Sequence, residues 1–363
     1  MKPKRIIHVT NMGFKPVRDY LHGMGRMLSN GFTLAGHDVI NFSDRDISRW
    51  VRPLGLRQLG HIKTNKMLLK LCKSTSPDIL VFGHADIITV ETVQDIKKML
   101  PNIKIMQWGG DLILDKDHSF NKERNMSEQN RKKILHKKDV VDVTFITQAN
   151  PSVLNNLKDK GCVTYFTPTP VDGAITNELN FQKTNLPFDL IFITNSEIDR
   201  RYHCNQWQYM DDLYDNLVSK TPNLTISNHG IKGGKKVFGP NYQNALSNCK
   251  MGLNISLFND VLLYSSNRLS HFIGNGLAVF IDKNSGYNKI FNDNEMLFYS
   301  TESELIEKMN KLKKDDKERQ RIAENGYKRY YDLFSNVKVA KYMIDVLYGE
   351  KEGNSIISEY INS

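Results

Sequence analysis

Ser265-Ser266-Asn267 stands directly before Arg268, and Gly274 and Gly276 follow a short way on. Hydroxyl and amide side chains cap the first amides of a helix and glycines end one, so a short helix is expected from Arg268. Gly252-Leu253-Asn254-Ile255-Ser256 reads as a buried strand ahead of it, and Leu277-Ala278-Val279-Phe280-Ile281 as another behind it. A helix that starts beside the end of a parallel strand offers free N–H groups and a positive dipole end. Arg268 in the first turn adds a full charge and a planar donor fork that matches phosphate oxygens. Ser266, Asn267 and Arg268 can together hold a diphosphate and stabilise negative charge as it leaves a carbon. The same residues also read as an ordinary capped helix with a solvated arginine.

Proton removal needs a second set of groups. Asp111 follows the run Lys104-Ile105-Met106-Gln107-Trp108 in a Gly109-Gly110 turn, where its carboxylate can serve as a base or merely cap its own turn. His84 follows the run Asp78 to Phe82 and can act as base or donor, or be a satisfied structural histidine. Asp86 is a weaker candidate in the same loop. Gly13, in the loop Asn11 to Pro16, permits close backbone approach to a ligand or makes a tight turn. No Asp-x-Asp pair is expected beside a strand end, since Asp211-Asp212 falls inside an expected helix, so no metal is implied.

These groups need a scaffold, and the 363 residues suit two α/β domains in series. At 40% hydrophobic and 25% charged the composition is globular. Lys and Arg outnumber Asp and Glu by 50 to 40, and the resulting charge of +10 favours an anionic partner, though a basic surface alone explains it too. Cys72, Cys162, Cys204 and Cys249 have no paired spacing and read as buried small hydrophobes of a reducing cytoplasm. Neither a spanning segment nor a secretory signal is expected, so the location expected is cytoplasmic.

Short apolar runs alternate with helical patterns throughout, which predicts parallel sheets covered on both faces. Strands are expected at Arg5–Thr10, Val39–Phe42, Asp78–Gly83, Lys104–Trp108, Val141–Ile146 and Val163–Phe166, with a helix near Val17–Ala35. Thr167-Pro168-Thr169-Pro170 interrupts the pattern as a linker. A second series opens at Phe188–Ile193, with a helix over Asn205–Ser219 and strands at Leu224–Ile226, Met251–Ile255 and Leu277–Ile281. The domains expected are 1–170, a linker 171–187, a second domain 188–340, and a helix and tail 341–363 that packs back on the first. Lys232, Lys235 and Lys236 read as surface charge.

Asn267-Arg268-Leu269-Ser270-His271-Phe272-Ile273-Gly274-Asn275-Gly276-Leu277-Ala278-Val279-Phe280 resembles the donor-site helix of group 1 glycosyltransferases, and more narrowly the spore-maturation-protein-like branch. The likeness continues through Ile290 to Glu295, Phe298-Tyr299 and Arg321 to Tyr327, and covers about residues 188–348. It implies the GT-B architecture: two Rossmann-like parallel-sheet domains facing each other across a cleft. It also implies transfer of a sugar from a nucleotide-diphosphate sugar to a glycan, lipid-linked or other acceptor, with no cofactor and with retention, in which the leaving phosphate takes the proton; inversion would instead make Asp111 or His84 essential. Arg200 and Arg201 would then assist Arg268 at the diphosphate, and Phe238 and Gly239 would pass the nucleobase. One departure is His271, where the family often carries a Glu that binds the donor ribose. A neutral or transiently charged imidazole cannot replace a permanent acceptor.

Rival readings follow from the same residues. A nucleotide-sugar-binding protein without turnover fits His271. A nicotinamide enzyme lacks support, because Asn11 to Pro16 contains no Gly-x-Gly-x-x-Gly. A nucleic-acid-binding protein fits the charge but shows no recognition motif. The stretch Arg45 to Lys73 interleaves Arg49, Arg52, Arg57, Lys63, Lys66, Lys70 and Lys73 with Trp50, Leu54, Leu56, Leu59 and Met67. It reads as two amphipathic helices packed on the first sheet, or as a peripheral contact with an anionic membrane face.

Overall fold

The computed structural model describes residues 2–13, 23–115, 121–194 and 200–361. The chain divides into two compact units, Met1–Pro168 with Asn336–Ile357 and Thr169–Ser335 with Ser358–Ser363.

In the first unit the order is β1 (Arg5–Thr10), α1 (Met24–Leu34), β2 (Asp38–Phe42), α2 (Asp44–Val51), a 3-10 turn Pro53–Gly55, α3 (Arg57–Thr75), β3 (Ile79–Gly83) and α4 (Val90–Met99). There follow β4 (Lys104–Gly109), α5 (Asn121–His136), β5 (Val143–Ile146), α6 (Pro151–Asp159) and β6 (Thr164–Phe166). All five pairings in the sheet β2-β1-β3-β4-β5-β6 are parallel. Strands covered on both faces carry unbroken apolar runs, and all of Ile79–Gly83 is buried. One face packs Ile7, Leu80 and Ile105 against Leu68 and Cys72 of α3 and Val93 and Ile96 of α4. The helix expected from Val17 begins at Met24; residues 14–22 lie outside the described ones.

The second unit holds β7 (Phe188–Ile193), β8 (Arg200–His203), β9 (Gln206–Tyr209), α7 (Met210–Lys220), β10 (Ile226–His229), α8 (Gly239–Ser247), β11 (Cys249–Asn254) and α9 (Arg268–Gly274). It closes with β12 (Ala278–Asp282), β13 (Leu297–Tyr299), α10 (Glu302–Lys314) and α11 (Asp316–Phe334). Its sheet, β10-β7-β11-β12-β13, is parallel throughout. Leu190, Phe192, Met251, Leu253 and Phe280 meet Leu213 and Leu217 of α7 and Leu305 and Met309 of α10.

The expected helix Asn205–Ser219 is corrected here: its start is an antiparallel hairpin, β8 against β9, and the helix begins only at Met210. Cys204 and Asn205 both take positive φ, 48° and 61°, which matches the right-handed strand twist in a two-residue turn. The strand expected at Leu224–Ile226 also lies further along, at Ile226–His229.

Helix α12 (Asn336–Leu347) belongs to the first unit. It meets α1 at Gly31, where an added Cβ would come within 2.3 Å of the Asn336 carbonyl oxygen. Tyr342 donates its hydroxyl to the Phe166 carbonyl at 2.8 Å. Cys72, Cys162 and Cys249 are free and buried, and Cys204 is half-buried. Among the described residues no helix is long and apolar enough to cross a membrane.

Candidate functional site

In the second unit the carboxyl ends of β7 and β11 lie side by side because the two strands pair directly. Arg268 joins those ends. Its Nη1 donates to the Ile193 carbonyl at 2.6 Å, Nη2 to the Ile255 carbonyl at 2.6 Å, and Nε to Ser266 Oγ at 3.0 Å. Burial pulls the guanidinium pKa below its ordinary value, while the phenols of Tyr242 and Tyr264 act the other way. No carboxylate pairs with it among the described residues. A desolvated cation without a counter-charge is costly unless an anion completes the site.

The capping expected at this helix is not there. Asn267 already has helical backbone angles and its side chain makes no cap bond. The Ser266 amide is committed as well, donating to Ser256 Oγ at 3.0 Å. Ser266 therefore serves by holding Arg268 through its hydroxyl. The helix has two turns at most, so the charge at this end is that of Arg268 itself.

Arg201 reaches the same strand end: its Nη2 donates to the hydroxyl of Thr194, the residue after β7, at 3.0 Å, and Nη1 to the Arg200 carbonyl at 2.8 Å. Arg201 is buried, while Arg200 turns outward and stacks 4.6 Å over the Trp207 ring. The structure thus separates these neighbours, because strand side chains alternate. His271 is buried, with Nδ1 3.1 Å from the hydroxyl of buried Tyr242. Phe238 and Gly239 sit at the start of α8; Phe238 is half exposed and Gly239 takes φ 52°.

The first unit has its own pocket at the carboxyl ends of β3 and β4. His84, Asp86, Trp108, Asp111, Lys133 and Lys137 are among its lining. His84 Nδ1 lies 3.6 Å from Asp111 Oδ2, so two groups nominated separately meet here. The register places Gly83 opposite Trp108, and a Cβ at Gly83 would come within 2.1 Å of the indole. Glycine is required there. Trp108 donates Nε1–H to His8 Nε2 at 3.1 Å, which leaves His8 Nδ1–H to face Ser29 Oγ at 2.7 Å. Full burial drops the His8 pKa to about 3. Gly13 follows β1 with φ 66°, and the preceding amide, of Met12, donates to Ser43 Oγ.

Two residues here had no signal in the sequence. Lys137 is buried, donates to the Ala85 carbonyl at 2.9 Å, and has its pKa lowered by burial, with Asp86 and Asp44 opposing. Asp44 is fully buried, and neither carboxylate oxygen makes a hydrogen bond of full geometry. Burial raises its pKa to about 6, against the weaker pull of the Arg45 and Ile87 amides.

Asp44-Arg45-Asp46 corrects the expectation that no Asp-x-Asp follows a strand end, since it stands directly after β2. Its carboxylates diverge, however: Asp46 accepts from Ser43 Oγ at 2.5 Å and pairs with Arg49 at 3.0 Å. His203, Cys204 and Asp282 each bring one ligand-type atom within 4.8 Å of the others. They are already engaged: His203 Nε2 with the Tyr299 hydroxyl at 2.9 Å, and Asp282 with the amides of Cys204 and Asn284. Burial raises the Cys204 thiol to about 12.

Residues 192–345 match the glycosyl transferase-like family. No curated protein matches the chain. Among solved structures it resembles Anabaena HepE in complex with UDP and glucose, at TM-score 0.55 and 11% identity over 95% of this chain and 100% of that one. OtsA in its apo form gives 0.58 and 11%, over 94% and 99%. A glycosyltransferase from Rickettsia africae gives 0.54 and 10%, over 96% and 99%. At such identities these likenesses speak for the fold. Residues 192–345 thus carry the glycosyl transferase-like match, and the chain has the GT-B fold that these structures share.

Proposed function

We propose that this chain transfers a sugar from a uridine-diphosphate sugar, and that Arg268 grips the diphosphate. The observation that carries the reading is a desolvated guanidinium at the carboxyl ends of β7 and β11 with no acidic partner among the described residues. Nη1 and Nη2 each spend a donor, on the carbonyls of Ile193 and Ile255, and Nε spends one on Ser266, which hold the fork still; the second N–H of each Nη would meet the phosphate oxygens. Pre-placed charge of this kind stabilises a leaving group at no cost in reorganisation. Arg201 adds a second cation at the same strand end. Anabaena HepE, which shares the fold, is solved with UDP-glucose.

The transfer retains configuration and needs no divalent metal. The anomeric C–O bond to phosphate breaks, the acceptor oxygen bonds to the same carbon from the same face, and its proton passes to the departing phosphate. Arg268 and Arg201 supply the charge a metal would otherwise bring. In the first unit the His84–Asp111 pair holds the acceptor hydroxyl, which belongs to a glycan or a lipid-linked sugar.

His271 favours a second reading, nucleotide-sugar binding without turnover, because its imidazole is packed against Tyr242 where relatives often carry a Glu. One experiment separates the two. Purified protein is melted with and without UDP, and hydrolysis of UDP-sugars is followed beside it. Stabilisation with turnover supports transfer, and stabilisation without turnover for any donor supports binding alone. If UDP leaves the melting temperature unchanged, the diphosphate site itself is lost.

A further inference from the structure

Helix α3 has two faces, and only one of them is used by the fold. At about 100° per residue, Gly60, Thr64, Leu68 and Cys72 line the side turned to the rest of the unit, Gly60 against α2 and Leu68 and Cys72 against the sheet, and all are buried. Leu59, Ile62, Lys63, Lys66, Lys70 and Lys73 occupy an opposite arc of about 100°. All six are exposed. The 3-10 turn before the helix continues that face, with Leu54 at 94% exposure and φ 49°, and Trp50 at 67%. Of the eleven exposed large hydrophobic residues among the described ones, six fall between Trp50 and Met67. Such a concentration on one segment marks a contact surface.

Its charge is of one sign. No Asp or Glu occurs from Ile47 to Pro77. Arg52, Arg57, Lys63, Lys66, Lys70 and Lys73 are exposed and in no ion pair among the described residues. The apolar residues gather at the turn and the start of α3, and the lysines along its later turns. That is the layout of a segment whose tip enters the headgroup–acyl boundary while its stem rests on anionic headgroups.

We propose that the exposed face of α2, the Pro53–Gly55 turn and α3 docks on an anionic membrane surface. Two other occupants fit less well. A nucleic acid would use the cations but would gain nothing from Leu54, Leu56, Leu59 and Ile62. A second copy would bring two unpaired basic faces together. Helix α2 starts at the pocket rim, where Arg45 pairs with Asp86 at 2.6 Å. Docking would therefore bring the His84–Asp111 pocket towards the lipid surface and an acceptor carried there. The proposal does not depend on the donor-site reading.

The test is flotation of the full chain with vesicles of phosphatidylcholine alone and with added phosphatidylglycerol, at low and high salt. Wild type floats with the anionic vesicles and is released by salt. Leu54→Asp and Lys66→Glu/Lys70→Glu each lower partitioning by about tenfold or more, with unchanged melting curves and unchanged UDP response. Absence of flotation at low salt overturns the proposal. So does flotation that both variants share, oligonucleotide binding that Leu54→Asp leaves intact, or a dimer in size-exclusion chromatography that Leu54→Asp dissolves.

Discussion

Nη1 of Arg268 donates to the carbonyl oxygen of Ile193 at 2.6 Å, tying the first residue of α9 to the last residue of β7. The bond gives Arg268 two duties, one to the sheet and one to the ligand. Arg268→Lys keeps the charge but replaces a fixed planar fork with one ammonium on a flexible stem, which has no second nitrogen to hold Ile193 and Ile255 and still leave donors fixed towards a phosphate. Its turnover with a UDP-sugar falls by about 10²-fold, in the range for removing one pre-placed donor. Initial rates measure this, and UDP-dependent melting of the same variant shows the loss of ligand grip separately from any loss of fold.

The His84–Asp111 pair predicts a split between the two half-reactions. Asp111→Asn and His84→Ala lower transfer to acceptor by about 10-fold to 100-fold, because the hydroxyl loses its positioning. Slow hydrolysis of the donor by water, which needs only the second unit's residues, stays near wild type. Equal losses in both assays would refute an acceptor role for the pair.

His8 sets a limit on acid stability. Its pKa is about 3 in the fold against 6.5 unfolded, so the unfolded chain takes up a proton that the native state refuses. The stability it contributes is complete above about pH 6.5 and is lost as pH falls towards 3. At about pH 4.5 the loss amounts to about 3 kcal/mol. Urea titrations should show His8→Gln less stable than wild type at neutral pH but with a flatter decline into acid.

Asp44 acts in the opposite sense. Its pKa is about 6 in the fold and 3.8 unfolded, so the native state binds the proton more tightly. Its contribution is favourable below about pH 3.8 and is lost as pH rises through 6. Asp44→Asn, which cannot ionise, should gain stability relative to wild type between about pH 4 and 7.5, by about 2–3 kcal/mol at the upper end. Melting temperatures of the pair across that range give the sign directly.

Strands such as Ile79–Gly83 and Phe188–Ile193 were legible in the sequence because strands buried on both faces must be continuously apolar. The hairpin at Arg200–Tyr209 was not. Its place depends on distant partners: the Asn259 side chain donates to the Tyr202 carbonyl, and the Cys204 amide to Asp282. Helical spacing over Asn205–Ser219 carries no trace of either. The stretch Arg45 to Lys73 allowed a packed or an exposed reading, and α3 presents both, one on each side.

The sequence by itself determined the alternation of buried strands and helices and the candidacy of Arg268, His84 and Asp111, since apolar periodicity and turn chemistry are local properties. Only the tertiary structure decided what those residues meet. Pairing of β7 with β11 turned Arg268 into a strand clamp, and pairing of β3 with β4 set His84 beside Asp111. The unusual states of Asp44, Lys137 and His8 arise from desolvation, which depends on how many remote groups close over a side chain and therefore leaves no mark on its sequence neighbours.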